Sequence, residues 1–445
     1  MKTWKILVVL IITTTLVFTA CPPDGDGNGT TTHTHDWEWT SNVIAATCTT
    51  ASKDTAICKF ENCTATNERT GTVAALGHDM GEWVIITNPT EIANGEQEST
   101  CKRIICNNFV ETRYILATSY FEIIGSTDYR IIRSNVEPPN VVYIPSEYNG
   151  LPVTEIGSPS DWGSGAFSGM TNIIEVYIPD TITTIYPYAF SGCTNITSII
   201  APAVSSVGFN AFSRCTNLNS VNFPANAVIG NGVFTYCTSL TNFILTGTGV
   251  LSVIEGGKAL VRNNTELVAY PSASGDIVIN TITSLTWGAF YGAANLVSAI
   301  FPVLIDTGMY SFSYCSNLES VSFPITTTLA QDTLSWCPKL MSVNIPSVTN
   351  IGSLIFRYNG STPLLITMGN VAPSTSDPWG GTITAQKPVT IRIPTGATGY
   401  GFSPTDATTQ NWGNAFRGMG WNRNTGVYGT GNVNETINLT IEYVN

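Results

Sequence analysis

Charge is what this sequence has least of. Only 11% of its 445 residues are Asp, Glu, Lys or Arg, and 31 acids outnumber 19 bases for a net charge of −12. Phosphate backbones are bound by Lys and Arg, so this balance argues against a nucleic-acid partner. Histidine is scarcer still. His33, His35 and His78 are all there is, and all lie near the N-terminus. A Ser-His-Asp or Cys-His site therefore cannot be assembled from the residues beyond them. No G-x-x-x-x-G-K-[ST] loop occurs. A glycosidase needs two carboxylates held close together, and here the acids are scattered, with Glu175 and Glu319 far apart. A carboxylate pair in a long loop is the one enzymatic arrangement left open. The expectation is a protein without enzymatic activity, cofactor or metal.

Long apolar runs are also missing. The longest, ILVVLIITTTLVFTA, follows Lys2 and Lys5 and is broken by Thr13–Thr15. It is short for a membrane span and reads as an export signal, residues 1–20. Ala20 before Cys21 resembles a lipoprotein signal, in which the Cys becomes the lipidated first residue. Phe18 stands where Leu is usual, and Pro22 follows directly. Ordinary cleavage and a retained anchor are the alternatives to lipidation at Cys21. PPDGDGNGTTTHTH has no apolar period, so residues 21–36 read as a flexible tether. The abundant Thr, Ser, Asn and Gly fit an exported protein.

What is present is repetition. HTHDWEW recurs as GHDMGEW, and Cys58 and Cys63 recur 43 residues later as Cys101 and Cys106. Residues 37–117 thus read as two copies of a small unit, with strands at WVIIT and ETRYIL. One disulfide per C-x4-C pair would suit a small exported unit with little core. The alternative is a zinc site made by the four cysteines with His35 and His78. Cys48 has no counterpart in the second copy. The unit resembles short His-Asp/Trp/Cys–Cys modules found in tandem in bacterial surface proteins, which implies a spacer or interaction role.

From residue 137 a second repeat takes over. AFSGCTNITSIIAP, AFSRCTNLNSVNFP and SFSYCSNLESVSFP are three of its copies. The apolar residue before the Pro slot falls at 144, 178, 201, 223, 245, 279, 301, 323 and 345, then less regularly at Met368 and Ile393. A period of 20–29 residues with L-x-x-V-x-F spacing signals leucine-rich repeats. Val221 and Phe223 are two apart and share one face of a strand, so Asn222 faces out. Pro224 has no N–H to donate and ends the ladder. The ten or eleven residues to the next Phe return the chain through turns or one helical turn. Phe212 and Phe234 pin that return to the core. Cys193, Cys215, Cys237, Cys315 and Cys337 occupy one slot per rung. Stacked neighbours would lie within disulfide reach, but a run of three cannot pair completely. A small buried apolar filler is the better reading of that slot.

The phrase AF-x-x-C-x-x-L-x-x-V-x-F-P, at 22–23 residues per rung, resembles the BspA-like leucine-rich-repeat surface proteins. The likeness covers 137–394. GGKALVRNNTELVAYPSASGDIVI looks like the hairpin insertion of that family, and YFEIIGSTDYRIIRS, within 118–136, like its N-terminal capping hairpin. The expected fold is mainly β, a solenoid with one parallel sheet and irregular or helical returns, preceded by the small tandem module. Residues 395–445 leave the period and would form the C-terminal cap.

The outward strand positions form a candidate ligand-binding row: Tyr143, Tyr177, Ile200, Asn222, Ile244, Val278, Ile300, Ser322 and Asn344, continuing to Thr367 and Arg392. A flanking row runs from Glu175 through Ser198, Ser220, Asn242, Ser298, Ser320 and Ser342. Exposed Ile and Tyr on one face mark a contact site, although β-propensity alone favours the same residues. With the lipoprotein-like signal, the reading is a lipid-anchored surface protein whose sheet face binds a protein or glycan, and the family resemblance implies adhesion to host matrix or neighbouring cells. The alternative is a structural, self-associating envelope protein. The oligomeric state is not readable.

Overall fold

The computed structural model describes residues 37–44, 46, 49–58, 66–70, 74–103, 109–160, 163–375, 388–398, 400, 421–422, 427–428 and 438–444. The signal, Cys21, the tether, Cys48, Cys63, Cys106 and most of the expected C-terminal cap lie outside them. The chain divides into two units, Met1–Ile86 with Gln97–Thr112, and Thr87–Glu96 with Arg113–Asn445.

In the first unit, strands Trp37–Ile44, Lys53–Cys58 and Thr66–Thr70 form an antiparallel sheet in sequence order. Arg69 lies 4.2 Å above the Trp39 ring and reaches the buried Asp54 carboxylate at 2.9 Å. The second copy also yields three strands, Val84–Thr87, Gly95–Thr100 and Val110–Ile115, in one sheet. Cys101 is a buried, free thiol whose sulfur accepts the Asp79 N–H at 3.4 Å. Its expected partner Cys106 is outside the described residues, as are Cys63 and the side chain of Cys58.

The second unit is a parallel β-solenoid of about 11 turns. Its core opens under a hairpin, Phe121–Ile124 with Asp128–Ile131, turning at Gly125 with φ 61°. Tyr120 just before it is fully buried, its hydroxyl donates to the Val136 carbonyl, and its ring stacks on Phe167 at 5.7 Å. The main sheet then takes one strand per rung, as in Ser198–Ile200, Ser220–Pro224 and Asn242–Thr246. In Ser220–Pro224 the alternation is as the period requires. Val221 and Phe223 are buried, while Ser220 and Asn222 are partly open.

The returns differ from expectation. Among the described residues they contain no α-helix, and a 3-10 turn, Glu255–Gly257, lies in the long inserted connection. Several returns carry a two-residue strand, such as Thr184–Ile185, Ser206–Val207 and Val228–Ile229, in a second parallel ladder that places Ile156, Ile185, Val207 and Ile229 side by side. Short β-branched pairs suit this, since the inward member of each is buried. The Phe turns bond from rung to rung as well, with Phe190 N–H to Ala211 O at 2.8 Å and Phe212 N–H to Val233 O at 3.0 Å. Where both ladders run unbroken, as from Ser198 to Ile229, a rung is thus tied to its neighbours on three sides. Inside, Phe167, Phe190, Phe212 and Phe234 stack at 5.2, 5.3 and 6.0 Å.

The insertion is a true hairpin, Ala259–Arg262 with Glu266–Ala269, and Asn263 and Asn264 both turn with positive φ. Its two faces are both buried. Ala259, Val261 and Leu267 join one hydrophobic cluster with Phe290 and Phe312. Leu260 and Val268 join the other, with Phe212 and Phe234. The hairpin is a septum between two cores. At the far end, strand Asn438–Val444 runs parallel to Pro388–Pro394 and extends the main sheet.

Candidate binding surface

A parallel ladder brings equivalent residues of successive rungs side by side. The register therefore decides whether the expected outward row exists as a row. Tyr143 pairs with Tyr177. Ile200, Asn222 and Ile244 align in the next block. Val278, Ile300, Ser322, Asn344, Thr367 and Arg392 align in the last, ending on Glu442. The flanking row aligns likewise, Ser198 with Ser220 and Asn242, and Ser298 with Ser320 and Ser342.

The row changes character along its length. At its start Arg113 lies 4.2 Å over the Tyr143 ring, and Tyr143 stacks on Tyr177 at 4.5 Å and 6°. The Tyr177 hydroxyl donates to Glu175 Oε2 at 3.0 Å. Burial, that bond and the nearby carboxylate hold its pKa above the ordinary phenol value. The middle is aliphatic. Ile200 is 52% exposed and Val278 54%, with Ile244 and Ile300 also exposed. Asn222, between Ile200 and Ile244, has a buried Oδ1 without a hydrogen-bond partner. The far end is polar. Asn344 donates to Ser322 Oγ at 2.9 Å, and Arg392 donates to Glu442 Oε2 from Nε at 3.1 Å and Nη2 at 2.9 Å. Two members of this surface escaped the sequence reading. Arg113 was assigned to the tandem module, and Glu442 to a cap whose strand direction was not readable.

The turn that carries Phe, Cys and Leu has its own geometry. The residue two after the Phe adopts positive φ in rung after rung, as at Gly169, Gly192, Arg214, Tyr236, Gly292 and Tyr314. The residue two before it often does too, as at Tyr188, Asn210, Gly232 and Gly288. The cysteine directly follows the residue two after the Phe. All five solenoid cysteines are fully buried. Each thiol donates to the carbonyl of the residue in the Phe slot of the rung before: Cys193 to Phe167, Cys215 to Phe190, Cys237 to Phe212, Cys315 to Phe290 and Cys337 to Phe312, at 3.0–3.2 Å.

Residues 160–257 and 275–362 match the model of the BspA type leucine rich repeat region, in six copies. These rungs are BspA-type leucine-rich repeats. Among solved structures, a leucine rich cell surface protein from Faecalibacterium prausnitzii is 19% identical, over 64% of this chain and 89% of its own, with a TM-score of 0.35. A leucine-rich repeat protein from Eubacterium ventriosum is 14% identical over 69% and 92%, with a TM-score of 0.39. The pneumococcal vaccine antigen PcpA is 13% identical over 81% and 99%, with a TM-score of 0.37. No curated protein matches the chain.

In these BspA-type rungs the cysteine is more than filler. Where Asn359 takes its slot, Nδ2 donates to the Leu334 carbonyl at 2.9 Å, which is the same rung-to-rung bond. Asn359 Oδ1 also accepts the Cys337 N–H at 2.8 Å. The sequence held this signal in the Cys-to-Asn exchange, since both side chains can donate. Burial pushes the thiols of Cys193 and Cys237 up to about 12. Among the described residues no group of three or more His, Cys, Asp or Glu is placed to hold a metal ion. His33 and His35 lie outside those residues, and His78 stacks on Phe109 at 3.9 Å.

Proposed function

We propose that this is a surface-exposed, lipid-anchored binding protein whose main sheet docks a protein ligand on host matrix or on neighbouring cells. The observation that carries the reading is that Tyr177, Ile200, Ile244, Val278 and Ile300, outward residues of three registered strand blocks, all stand open to solvent. Several adjacent exposed aliphatic and aromatic side chains on one face are the kind of patch that marks a protein contact. The stacked Tyr143–Tyr177 pair under Arg113 supplies residue types enriched at the energetic centres of interfaces. The BspA-type rungs and the export-like N-terminus support a place outside the cell.

The test uses the full chain applied to an immobilised extracellular-matrix extract. Tyr177→Ala with Ile200→Ser removes two half-exposed side chains and should leave the fold intact. Interface anchors cost roughly 2 kcal/mol each on truncation, about thirtyfold in affinity. Unchanged retention of the double variant would show that the sheet face is not the docking surface. Sedimentation at high concentration separates the self-associating alternative, which requires oligomers of the free chain.

A further inference from the structure

The slot two residues after each Phe adopts the left-handed conformation, for which glycine is the natural occupant. Glycine does fill it at Gly169, Gly192 and Gly292, so the fold does not need a side chain there. Yet Tyr236, Tyr314, Trp336 and Tyr358 sit in the same slot with φ of 56–62°. Bulky residues rarely accept that backbone. Four of them in one column therefore need a reason other than the turn.

Together they make a continuous edge. Tyr236 and Tyr314 lie 5.7 Å apart, although the Gly292 rung stands between them. Gly292 makes the room, because a Cβ there would fall 2.3 Å from the Tyr236 ring. Trp336 stacks on Tyr314 at 5.0 Å and 10°, and lies 4.0 Å from Tyr358. Both ends carry cations. Arg214 lies 5.5 Å above Tyr236, and Arg357 lies 4.7 Å above Tyr358. Three residues beyond two of the aromatics come Asn317 and the exposed Lys339, joined at 2.7 Å. Arg214 is exposed, and Trp336 is 37% exposed.

From this we infer that the turn edge binds a linear acidic glycan, with uronate or sulfate groups. The edge is a band of rings several rungs long, in which Tyr291 lies beside the column, 5.1 Å from Tyr236 and 5.2 Å from Tyr314. A linear repeating chain can lie along its length. The ring edges offer apolar contact to sugar rings, while phenol, indole and amide groups hydrogen-bond hydroxyls. The charge is complementary. In a chain of net charge −12, the edge gathers Arg214, Lys339 and Arg357, and guanidinium suits carboxylate and sulfate oxygens.

The experiment is affinity electrophoresis of the full chain in gels containing polygalacturonate, heparin or neutral xylan. The inference expects retardation by polygalacturonate, heparin or both, weakened by salt, and little by xylan. Which acidic gel retards identifies the uronate or the sulfate. Trp336→Gly with Tyr314→Gly should reduce retardation at least tenfold in apparent affinity with no loss of melting temperature, since glycine suits the slot. Arg214→Gln with Arg357→Gln should weaken it as well. The sheet-face variant Tyr177→Ala with Ile200→Ser should bind the glycan as the parent does, so this test and the docking test fail independently. No retardation by either acidic glycan, equal retardation by xylan, or unchanged retardation of the glycine variant overturns the inference. Loss of matrix-protein binding by the glycine variant with glycan retardation unchanged would assign the edge to protein docking and overturn it too.

Discussion

Cys215 offers the sharpest check on how a rung is built. Its thiol is fully buried and donates to the Phe190 carbonyl at 3.2 Å. That carbonyl also accepts the Cys193 N–H at 3.1 Å, so it keeps one partner if the thiol is removed. Cys215→Ala deletes the bond, worth about 0.5–1.5 kcal/mol, and the volume of a sulfur atom. The two losses together come to roughly 1–2 kcal/mol, well short of the ~3–5 kcal/mol expected for a Phe→Ala change in the neighbouring stack. Cys215→Ser loses similar volume but keeps a donor aimed at the same carbonyl. If the slot is a donor slot, Ser should be more stable than Ala by about 0.5–1 kcal/mol. If the slot only fills space, the order reverses, because a buried hydroxyl with nothing to bond is costly. The assay is urea unfolding of the full chain, comparing midpoints on one spectroscopic probe. A solenoid with a divided core need not unfold in one step, which makes midpoints safer than extrapolated energies. A Ser midpoint at or below the Ala midpoint refutes the donor role.

Alkaline pH should unfold the solenoid in a defined window. Burial raises the thiols of Cys193 and Cys237 from 9.0 to about 12, and the Tyr236 phenol to about 12. Above about pH 9 the unfolded chain loses thiol protons that the folded chain keeps, so stability is full below that pH and falls as it rises toward 12. A melting temperature that stays level from pH 8 to 11 would contradict this. The hairpin septum predicts a split response. Leu260→Ala should cost about 2–5 kcal/mol and lower hydrogen-exchange protection around Phe212 and Phe234. Val261→Ala should act around Phe290 and Phe312 instead, and identical exchange maps for the two variants would show that the core is not divided. The Arg392–Glu442 pair is more than a third exposed at both partners. Glu442→Gln should therefore shift stability by no more than about 1 kcal/mol, and a larger loss in urea unfolding would mean the terminal strand depends on it.

The repeat phrase made most of this architecture legible. Period-2 spacing of Val221 and Phe223 places them inward, and counting 22 residues places Asn222 beside Ile200 and Ile244 before any coordinates are known. The capping and inserted hairpins were legible through their likeness to the hairpins of the BspA-like family, the second also through the apolar runs on either side of NNT. The returns were not. Pairs such as Thr184–Ile185 are too short to show a period, and only rung-to-rung bonding makes them strands. The left-handed slots were also missed, because Gly192 and Tyr236 share no property in sequence except their distance from a Phe. The cysteine column was half read. Its burial followed from the repeat, but its hydrogen bond needed the carbonyl of the previous rung. Arg113 and Glu442 joined the candidate face through tertiary pairing across segments that the period does not reach.

Hydroxyl-radical footprinting of the full chain, free and bound to an immobilised matrix extract, tests the docking face most directly. The account predicts that Tyr143, Tyr177, Ile200 and Ile244 become protected on binding, while Val228, exposed on the return, reacts as before. Protection confined to other surfaces, with Tyr177 and Ile200 reacting equally in both states, would contradict it.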